Sequence, residues 1–220
     1  VTRNGSSIIA FVAGSEDLAE SGIRMAGAHT DSPCLMVKPQ PEMLNNKYFQ
    51  LGVEVYGGAL LNPWFDRDLS LAGRLVYSDV SGQLKQKLVN FDEAIAIIPS
   101  LAIHLDRTAN KDRTINSQTD IPPILMQAEE TTDFRELLAQ HFLSDNEKVM
   151  DYELCFYDVQ GAATVGLKKE FFAAARLDNL LSCFVATKAL IDADTVSTSV
   201  LVCNDHEEVG SVSSVGARSE

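Results

Sequence analysis

The chain has 220 residues, of which 45% are hydrophobic and 22% are charged, a composition typical of an ordinary globular protein. Its formal net charge of −13 repels nucleic acid and anionic membrane surfaces, and its apolar runs are shorter than the ~20 residues of a membrane helix, so we expect neither partner. Its four cysteines lack paired spacing, which indicates reduced core thiols of a cytoplasmic protein.

Two short apolar strands are predicted near the N-terminus, and the second ends in ionisable residues. They cover residues 6–12 and 23–28, and His29 and Asp31 follow directly. Residues two apart on extended backbone point to one side, so Asp31 can accept a hydrogen bond from the His29 ring and fix its tautomer. This pair is typical of a metal-bound histidine, and a polar surface loop is the alternative.

The middle of the chain is predicted to consist of strands joined by short turns. No strand is assigned to residues 37–49, which are rich in Pro, Asn and Lys. A helix is predicted over residues 132–141, with Thr131 or Thr132 as its N-cap. Because this pattern differs from the strand–helix alternation of a parallel sheet, we interpret residues 37–151 as an inserted β-rich domain. The predicted strands are residues 50–56, 69–77, 84–90 and 93–98.

The C-terminal part of the chain returns to a mixed order. A strand over residues 152–157 precedes a helix over residues 180–191, and Asp178 lies at the start of that helix. A helix, a turn and a following strand form half of a doubly wound sheet. We therefore predict an α/β fold, in which residues 1–36 and 152–220 form a domain with a doubly wound, mixed sheet.

A concentrated group of charges follows the strand predicted over residues 200–203. Asn204 to Glu208 are all polar or ionisable. Carboxylates beside a buried strand are costly unless a cation or a proton neutralises them. Open α/β sheets also bind their ligands at the carboxyl ends of strands. We therefore predict a cation site here, with an acidic surface turn as the alternative.

These polar strand and helix ends together offer one histidine and several carboxylates. This set of nitrogen and oxygen donors suits zinc, manganese or cobalt better than calcium, magnesium or iron–sulfur clusters. The side chains of Glu207 and Glu208 diverge at a strand end, so one can bind a metal while the other acts as a general base. Asp178 can use both oxygens and bridge two ions ~3.5–4 Å apart.

Six motifs, in order along essentially the whole chain, resemble the M18 family of metallopeptidases, the aspartyl aminopeptidases. HTD and EEVG alone are typical of co-catalytic metallopeptidases, whereas RLDN, WFDRD and IPSLAIHL together are specific to this family. The motifs are AHTDSP (28–33), GVEVYGG (52–58), WFDRDLSLAGR (64–74), IPSLAIHL (98–105), RLDN (176–179) and DHEEVGS (205–211). His206 departs from the asparagine expected there, and we treat it as a tolerated neighbour.

The resemblance implies a role for each candidate residue. His29 is implied as a ligand of one metal and Glu208 as a ligand of the second, with Asp178 bridging them. Asp31 is implied to orient His29, and Glu207 to act as the general base on a metal-bound water. The implied cofactors are two divalent ions, zinc first, with manganese or cobalt as alternatives.

The resemblance also implies a substrate and an assembly. Members of this family remove N-terminal Asp, and less readily Glu, from peptides. They join a zinc-peptidase-like catalytic domain to an inserted dimerisation domain, and their dimers assemble into dodecamers. His104 lies in the segment that reaches a neighbouring subunit's active site and helps hold the substrate.

Part of the site that the resemblance implies is not in this sequence. The family's site needs a further Asp and a further His after the EEVG segment, and neither occurs before Glu220. We therefore expect this chain alone to be inactive and to bind metal weakly or as a single ion. Two alternatives remain: a non-catalytic assembly piece of such an enzyme, and a related metallo-deacylase acting on an acidic amide.

Overall fold

The structure is a computed structural model that describes residues 1–218, and the chain divides into two compact units. The first unit comprises residues 1–33 and the described residues from 162 onward, and the second comprises residues 34–161. Ser219 and Glu220, which end the predicted catalytic domain, lie outside the described residues. Across residues 1–218, no helix is long and apolar enough to cross a membrane.

Strands outnumber helices in both units. The strands are β1 (Thr2–Arg3), β2 (Ser7–Val12), β3 (Ile23–His29), β4 (Cys34–Asn45), β5 (Tyr48–Tyr56), β6 (Leu69–Ser78), β7 (Leu84–Asn90), β8 (Ile124–Gln127), β9 (Lys148–Asp158), β10 (Ala163–Val165), β11 (Phe171–Ala173) and β12 (Thr198–Asn204). The α-helices are α1 (Leu18–Ser21), α2 (Phe134–Phe142) and α3 (Leu177–Ile191), and 3₁₀ turns cover Asn62–Trp64 and Glu207–Val209. The strands predicted over residues 6–12, 23–28 and 84–90 are confirmed as β2, β3 and β7.

A mixed four-stranded sheet forms the centre of the first unit, with the strand order β1–β2–β12–β3. Strand β12 runs antiparallel to β2 and parallel to β3. The parallel register pairs Cys203 with Ala28 and Asn204 with His29, so β3 and β12 end side by side. The mixed α/β fold is therefore confirmed, and the polar residues that follow both strands lie at one end of the sheet.

Helix α3 begins with irregular backbone. Arg176 has a left-handed φ of 61°, Asp178 and Asn179 have non-helical dihedrals, and the peptide bond between the latter two is cis. The regular helix therefore starts at Leu180, as predicted. Its sequence is apolar on most faces, as in helices that are buried, yet it has no buried residue. The helix thus presents an apolar surface.

A six-stranded antiparallel sheet forms the second unit, with the strand order β7–β6–β9–β4–β5–β8. Helix α2 packs on it through Phe134 and Leu138, which are fully buried. The sheet side of this core is formed by alternate residues of several strands, as expected for a sheet with one covered face. Its buried members include Leu35, Phe49, Leu51, Val53, Leu69, Leu71, Leu75, Leu154 and Phe156.

Strand β4 occupies a segment to which the sequence analysis assigned no strand. Its register with β5 shifts between Val37 and Glu42, which is a β-bulge. Pro39 and Pro41 lie within that shift. Proline cannot donate to a β-ladder and is tolerated at bulges, so a proline-rich stretch can still form a strand here.

Two smaller predictions in the second unit are wrong. Residues 93–98 form isolated bridges instead of a strand. The N-cap of α2 is Asp133, not Thr131 or Thr132, because the Asp133 carboxylate accepts the backbone N–H of Glu136 at 3.1 Å. A carboxylate at this position satisfies a backbone donor that the helix itself leaves unpaired.

Strand β9 determines where the second unit ends. It pairs with both β6 and β4, so residues 152–161 group with this unit by their contacts. The compact unit of residues 34–161 thus extends beyond the predicted insert of residues 37–151 on both sides. That this region serves as a dimerisation domain stays a prediction.

Candidate metal centre

The candidate site lies where β3 and β12 end. Strand β3 ends at His29, and the chain after β12 enters the 3₁₀ turn that carries Glu207 and Glu208. The irregular start of α3 brings Asp178 to the same place. The His29 Nε2 atom lies 3.4 Å from Asp178 Oδ1 and 3.7 Å from Glu207 Oε2. Residues from three distant parts of the sequence therefore surround one imidazole.

The donor atoms at this site have spacings that suit a metal ion. His29, Glu207 and Glu208 each offer a ligand atom, and these atoms all lie within 4.8 Å of one another. Ligand atoms about 2.0–2.2 Å from a four-coordinate zinc ion are about 3–4 Å apart. The separations of 3.4 and 3.7 Å from His29 Nε2 fall in that range. The donor set therefore fits a divalent transition metal, with Asp178 as a further donor.

Asp31 connects the two strand ends. Its Oδ1 lies 3.3 Å from His29 Nδ1, and its backbone oxygen lies 3.0 Å from the same nitrogen. Its carboxylate also accepts the backbone N–H groups of Glu207 at 3.2 Å and of Glu208 at 3.1 Å. The side chain of Asp31 is only 7% exposed, whereas that of Asp178 is 82% exposed. Asp31 thus anchors both the imidazole and the turn that carries the glutamates.

Three further side chains, which were not among the predicted site residues, contact these residues. Ser32 Oγ donates to the backbone oxygen of Asp178 at 2.8 Å. The Asn179 amide accepts the His29 N–H at 3.2 Å and donates to Asp178 Oδ1 at 3.1 Å. Cys183 Sγ donates to the His29 carbonyl at 3.1 Å. Ser32 and Asn179 stand inside recognised motifs, which was a usable signal, whereas Cys183 had none.

Cys203 lies on β12, one residue before the end of that strand. Burial raises the pKa of Cys203 to about 11, and its hydrogen bond with Cys183 acts in the same direction. Cys203 is only 2% exposed, so this residue belongs to the small core of the first unit. All four cysteines lie among the described residues, and none of them forms a disulfide. Among the described residues, the group that could hold an ion consists of His29, Glu207 and Glu208, which offer nitrogen and oxygen atoms.

His206 points its ring at partners other than the metal group. Its Nδ1 lies 2.6 Å from Ser213 Oγ, and its Nε2 lies 3.7 Å from Asp205 Oδ2. Its φ of 60° is left-handed, a region in which Asn, Asp and His are enriched. This backbone requirement explains how a histidine can stand where the resemblance leads us to expect asparagine.

His104 lies in the second unit, on an exposed segment. The start of this segment is held because Asp66 Oδ1 accepts the backbone N–H of Ser100 at 2.8 Å, a bond that lowers the pKa of Asp66 below its ordinary value. The neighbouring Ile103 is 48% exposed and Leu105 is 75% exposed. The role of His104 at a subunit interface stays a prediction.

Comparison with known proteins identifies the family. The family model described as "Aminopeptidase I zinc metalloprotease (M18)" matches residues 1–220. The chain belongs to the M18 family of metallopeptidases. Relatives named "Probable M18 family aminopeptidase 2" are 59% identical in Ectopseudomonas mendocina (strain ymp) and 58% identical in Stutzerimonas stutzeri (strain A1501), over 99% of this chain and 52% of each relative. The M18 chain thus spans about half the length of the curated relatives it matches.

Solved structures share the fold of this M18 chain. The structure of the Ape4 and Nbr1 complex matches 99% of this chain and 47% of its own, with a TM-score of 0.87 and 37% identity. Chaetomium thermophilum mApe1 matches 100% of this chain and 54% of its own, with a TM-score of 0.85 and 34% identity. An M18 family aminopeptidase from Thermotoga maritima, at 20% identity and a TM-score of 0.80, shares the fold.

Proposed function

We propose that this chain carries part of the active site of a metal-dependent aminopeptidase that releases N-terminal Asp, and less readily Glu, from peptides. One observation carries the proposal: a histidine and three carboxylates converge at the ends of β3 and β12, namely His29, Asp178, Glu207 and Glu208. The family match supports a metallopeptidase. The preference for acidic residues rests on the motif resemblance.

Two divalent ions are the proposed cofactors, zinc first, with manganese or cobalt as alternatives. We assign His29 to one ion, Glu208 to the other and Asp178 to the position between them. The description of the family as zinc metalloproteases and the nitrogen and oxygen donor set support zinc. Ions bound at these residues would acidify the attacking water and polarise the peptide carbonyl.

Glu207 is the proposed general base. Its side chain is 56% exposed and lies 3.7 Å from His29 Nε2, so it borders both solvent and the proposed ligands. From this position it can take a proton from the attacking water and deliver it to the leaving amine. Asp31 supports both groups, because it bonds the backbone of Glu207 and lies beside His29 Nδ1, leaving Nε2 for the metal.

We propose that the enzyme is a homo-oligomer, a dimer through residues 37–151 and a dodecamer in its full assembly. A relative described as the mApe1 dodecamer matches this chain with a TM-score of 0.76 at 28% identity. The exposed Ile103 and Leu105 support a subunit contact, in which His104 would help hold a neighbour's substrate. Cysteines without disulfides support a reducing, cytoplasmic location.

A chimeric enzyme tests the proposal. Residues 1–220 are joined to the remaining C-terminal part of the Ectopseudomonas mendocina relative, which is 59% identical over this region. We expect hydrolysis of an aspartyl p-nitroanilide that a chelator abolishes. Glu207→Gln should lower kcat by ~10²–10⁴-fold while the bound metal is retained, because only the proton acceptor is lost.

The matched control for this chimera is Glu136→Gln, an exposed glutamate on α2, which should leave kcat unchanged. Near-normal turnover by Glu207→Gln would contradict the general-base assignment. Faster hydrolysis of neutral than of acidic N-terminal residues would contradict the substrate preference. A folded, metal-loaded chimera without activity would favour the non-catalytic assembly alternative.

A further inference from the structure

Among the described residues, β3 is the last strand in the order β1–β2–β12–β3, so its carboxyl end is a sheet edge there. The N–H of Thr30 donates to the carbonyl of Asn204, which ends β12, at 2.8 Å. In a parallel ladder, alternate residues bond to the neighbouring strand, so the N–H and C=O of His29 point to the open side. Backbone groups removed from water there need partners from another element.

Side chains of α3 supply both partners. Asn179 Oδ1 accepts the His29 N–H at 3.2 Å, and Cys183 Sγ donates to the His29 carbonyl at 3.1 Å. Asn179 lies just before the regular helix and Cys183 lies in its first turn, and both side chains reach the backbone of the same strand residue. Together they make the hydrogen bonds that a further strand would otherwise make at His29.

Asn179 makes a second contact that connects His29 to the proposed bridging carboxylate. Its Nδ2 donates to Asp178 Oδ1 at 3.1 Å, and that same oxygen lies 3.4 Å from His29 Nε2. One amide therefore holds the backbone of His29 with its oxygen and the carboxylate of Asp178 with its nitrogen. Only this orientation of the amide satisfies both partners, since an N–H needs an acceptor and a carboxylate needs a donor.

We infer that Asn179 and Cys183 are positioning residues that set the separation between the His29 imidazole and the Asp178 carboxylate before a metal ion binds. The inference rests on the proposed metal centre and adds the groups that preorganise it. Neither residue touches a reacting atom, and both act through the groups they hold. Aspartate at position 179 would be a poor replacement, because it would lose the donor and place a second negative charge beside Asp178.

Cobalt binding to the 220-residue chain tests the inference, with Co²⁺ alone as the probe and its visible absorption as the readout. Asn179→Ala removes both amide contacts and should weaken Co²⁺ binding by ~10–100-fold. Cys183→Ala removes one weak hydrogen-bond donor and should weaken Co²⁺ binding by less. Cys183→Ser keeps a donor and should restore the wild-type affinity for Co²⁺. Ser182→Ala, at the exposed neighbouring position, is the matched control and should bind Co²⁺ as the wild type does.

Hydrogen exchange at the His29 amide separates positioning from general destabilisation. This amide should exchange faster in Asn179→Ala than in the wild type, because its acceptor is gone. A merely structural role predicts instead that Co²⁺ affinity falls in step with Tm in every α3 variant and that Cys183→Ser does not restore it. That pattern, or Co²⁺ binding by Asn179→Ala as tight as that of the wild type, would overturn the inference.

Failure of the proposed function has a different signature. A folded wild-type chain that binds no Co²⁺ would contradict the proposed metal centre. Hydrogen exchange then tests the inference by itself. Equal exchange of the His29 amide in the wild type and in Asn179→Ala would overturn the inference. Faster exchange in the variant would support the hydrogen bond from the His29 N–H to Asn179 in the absence of a metal.

Discussion

The two units use their apolar residues differently. In the second unit, the sheet and α2 enclose a core in which Phe49 is 0% and Phe156 is 1% exposed. In the described part of the first unit, the buried apolar residues are Leu201, Cys203 and Val215. The candidate metal centre therefore lies on the unit with the smaller buried core, and hydrogen bonds between strand ends and α3 hold it together.

The first unit leaves large apolar side chains exposed on both its sheet and its helix. Phe11 is 65%, Met25 is 70% and Phe184 is 64% exposed. Apolar surface of this kind is typical of a face that packs against further protein. The chain spans about half the length of its M18 relatives, which agrees with such a face. Buried apolar side chains therefore stabilise the second unit, whereas hydrogen bonds between neighbouring elements position the residues of the candidate metal centre.

Truncating one phenylalanine in each unit gives the largest expected difference. Phe156→Ala should lower the free energy of unfolding of the second unit by about 3–5 kcal/mol, because it leaves a cavity in a closed core. Phe184→Ala, at a side chain that is 64% exposed, should change the free energy of unfolding by less than about 0.5 kcal/mol. Urea unfolding followed by circular dichroism measures both. Equal losses of unfolding free energy in the two variants would contradict the difference in burial between the units.

Adding one methyl group to a strand glycine in each unit gives a smaller difference. A Cβ at Gly73, whose φ is +154°, would overlap the backbone oxygen of Glu153, whereas a Cβ at Gly27 would meet nothing within 4 Å. Gly73→Ala should therefore destabilise the second unit by about 1–3 kcal/mol. Gly27→Ala, its control on β3, should be nearly neutral. Thermal unfolding of the two variants measures both effects. An unchanged Tm in Gly73→Ala would contradict the close approach of the backbone at Gly73.

Titration of Tyr152 gives an effect that is confined to high pH. Burial raises the pKa of Tyr152 to about 12 from its ordinary value of about 10. Between pH ~10 and ~12 the unfolded chain loses the phenolic proton while the folded unit keeps it, so the free energy of unfolding falls as pH rises. Tyr152→Phe should remove this contribution. It should also cost about 1 kcal/mol at pH 8, since the 2.6 Å bond to the Lys38 carbonyl is lost.

The measurement for Tyr152 is urea unfolding of the wild type and Tyr152→Phe at several pH values from 8 to 12. The difference between the two proteins is informative because other groups that titrate in this range are common to both. A constant difference across the range would show that the phenol of Tyr152 titrates alike in the folded and unfolded states.

The periodicity of apolar residues predicted the elements in which the local sequence pattern and the tertiary structure favour the same conformation. Alternation and β-branched residues were sufficient for β2, β3 and β7, and helical spacing was sufficient for α3 from Leu180. Strand β4 was missed because Pro39 and Pro41 argue against a strand, and only the bulge opposite β5 accommodates them. The prediction for residues 93–98 was wrong in the opposite direction. Their apolar sequence favours a strand, but they form only isolated bridges.

The candidate site was accessible from sequence where ionisable residues stand at predicted strand ends. His29, Glu207 and Glu208 carry that signal, and the structure brings them within ligand distance of one another. The positions of Asn179 and Cys183 had to come from tertiary structure. Their shared partner is the backbone of His29 on β3, and the sequence does not show which side of β3 faces α3.

Zinc binding by this chain tests the central claim most directly. Isothermal titration calorimetry compares the wild type with His29→Ala, Asp178→Asn and, as a matched control, His141→Ala on α2 of the second unit. We expect about one Zn²⁺ per chain, with an affinity reduced by more than ~100-fold in His29→Ala and clearly reduced in Asp178→Asn. His141→Ala should bind Zn²⁺ as the wild type does. Zinc binding that survives His29→Ala, or its absence in the wild type, would contradict a metal centre at the ends of β3 and β12.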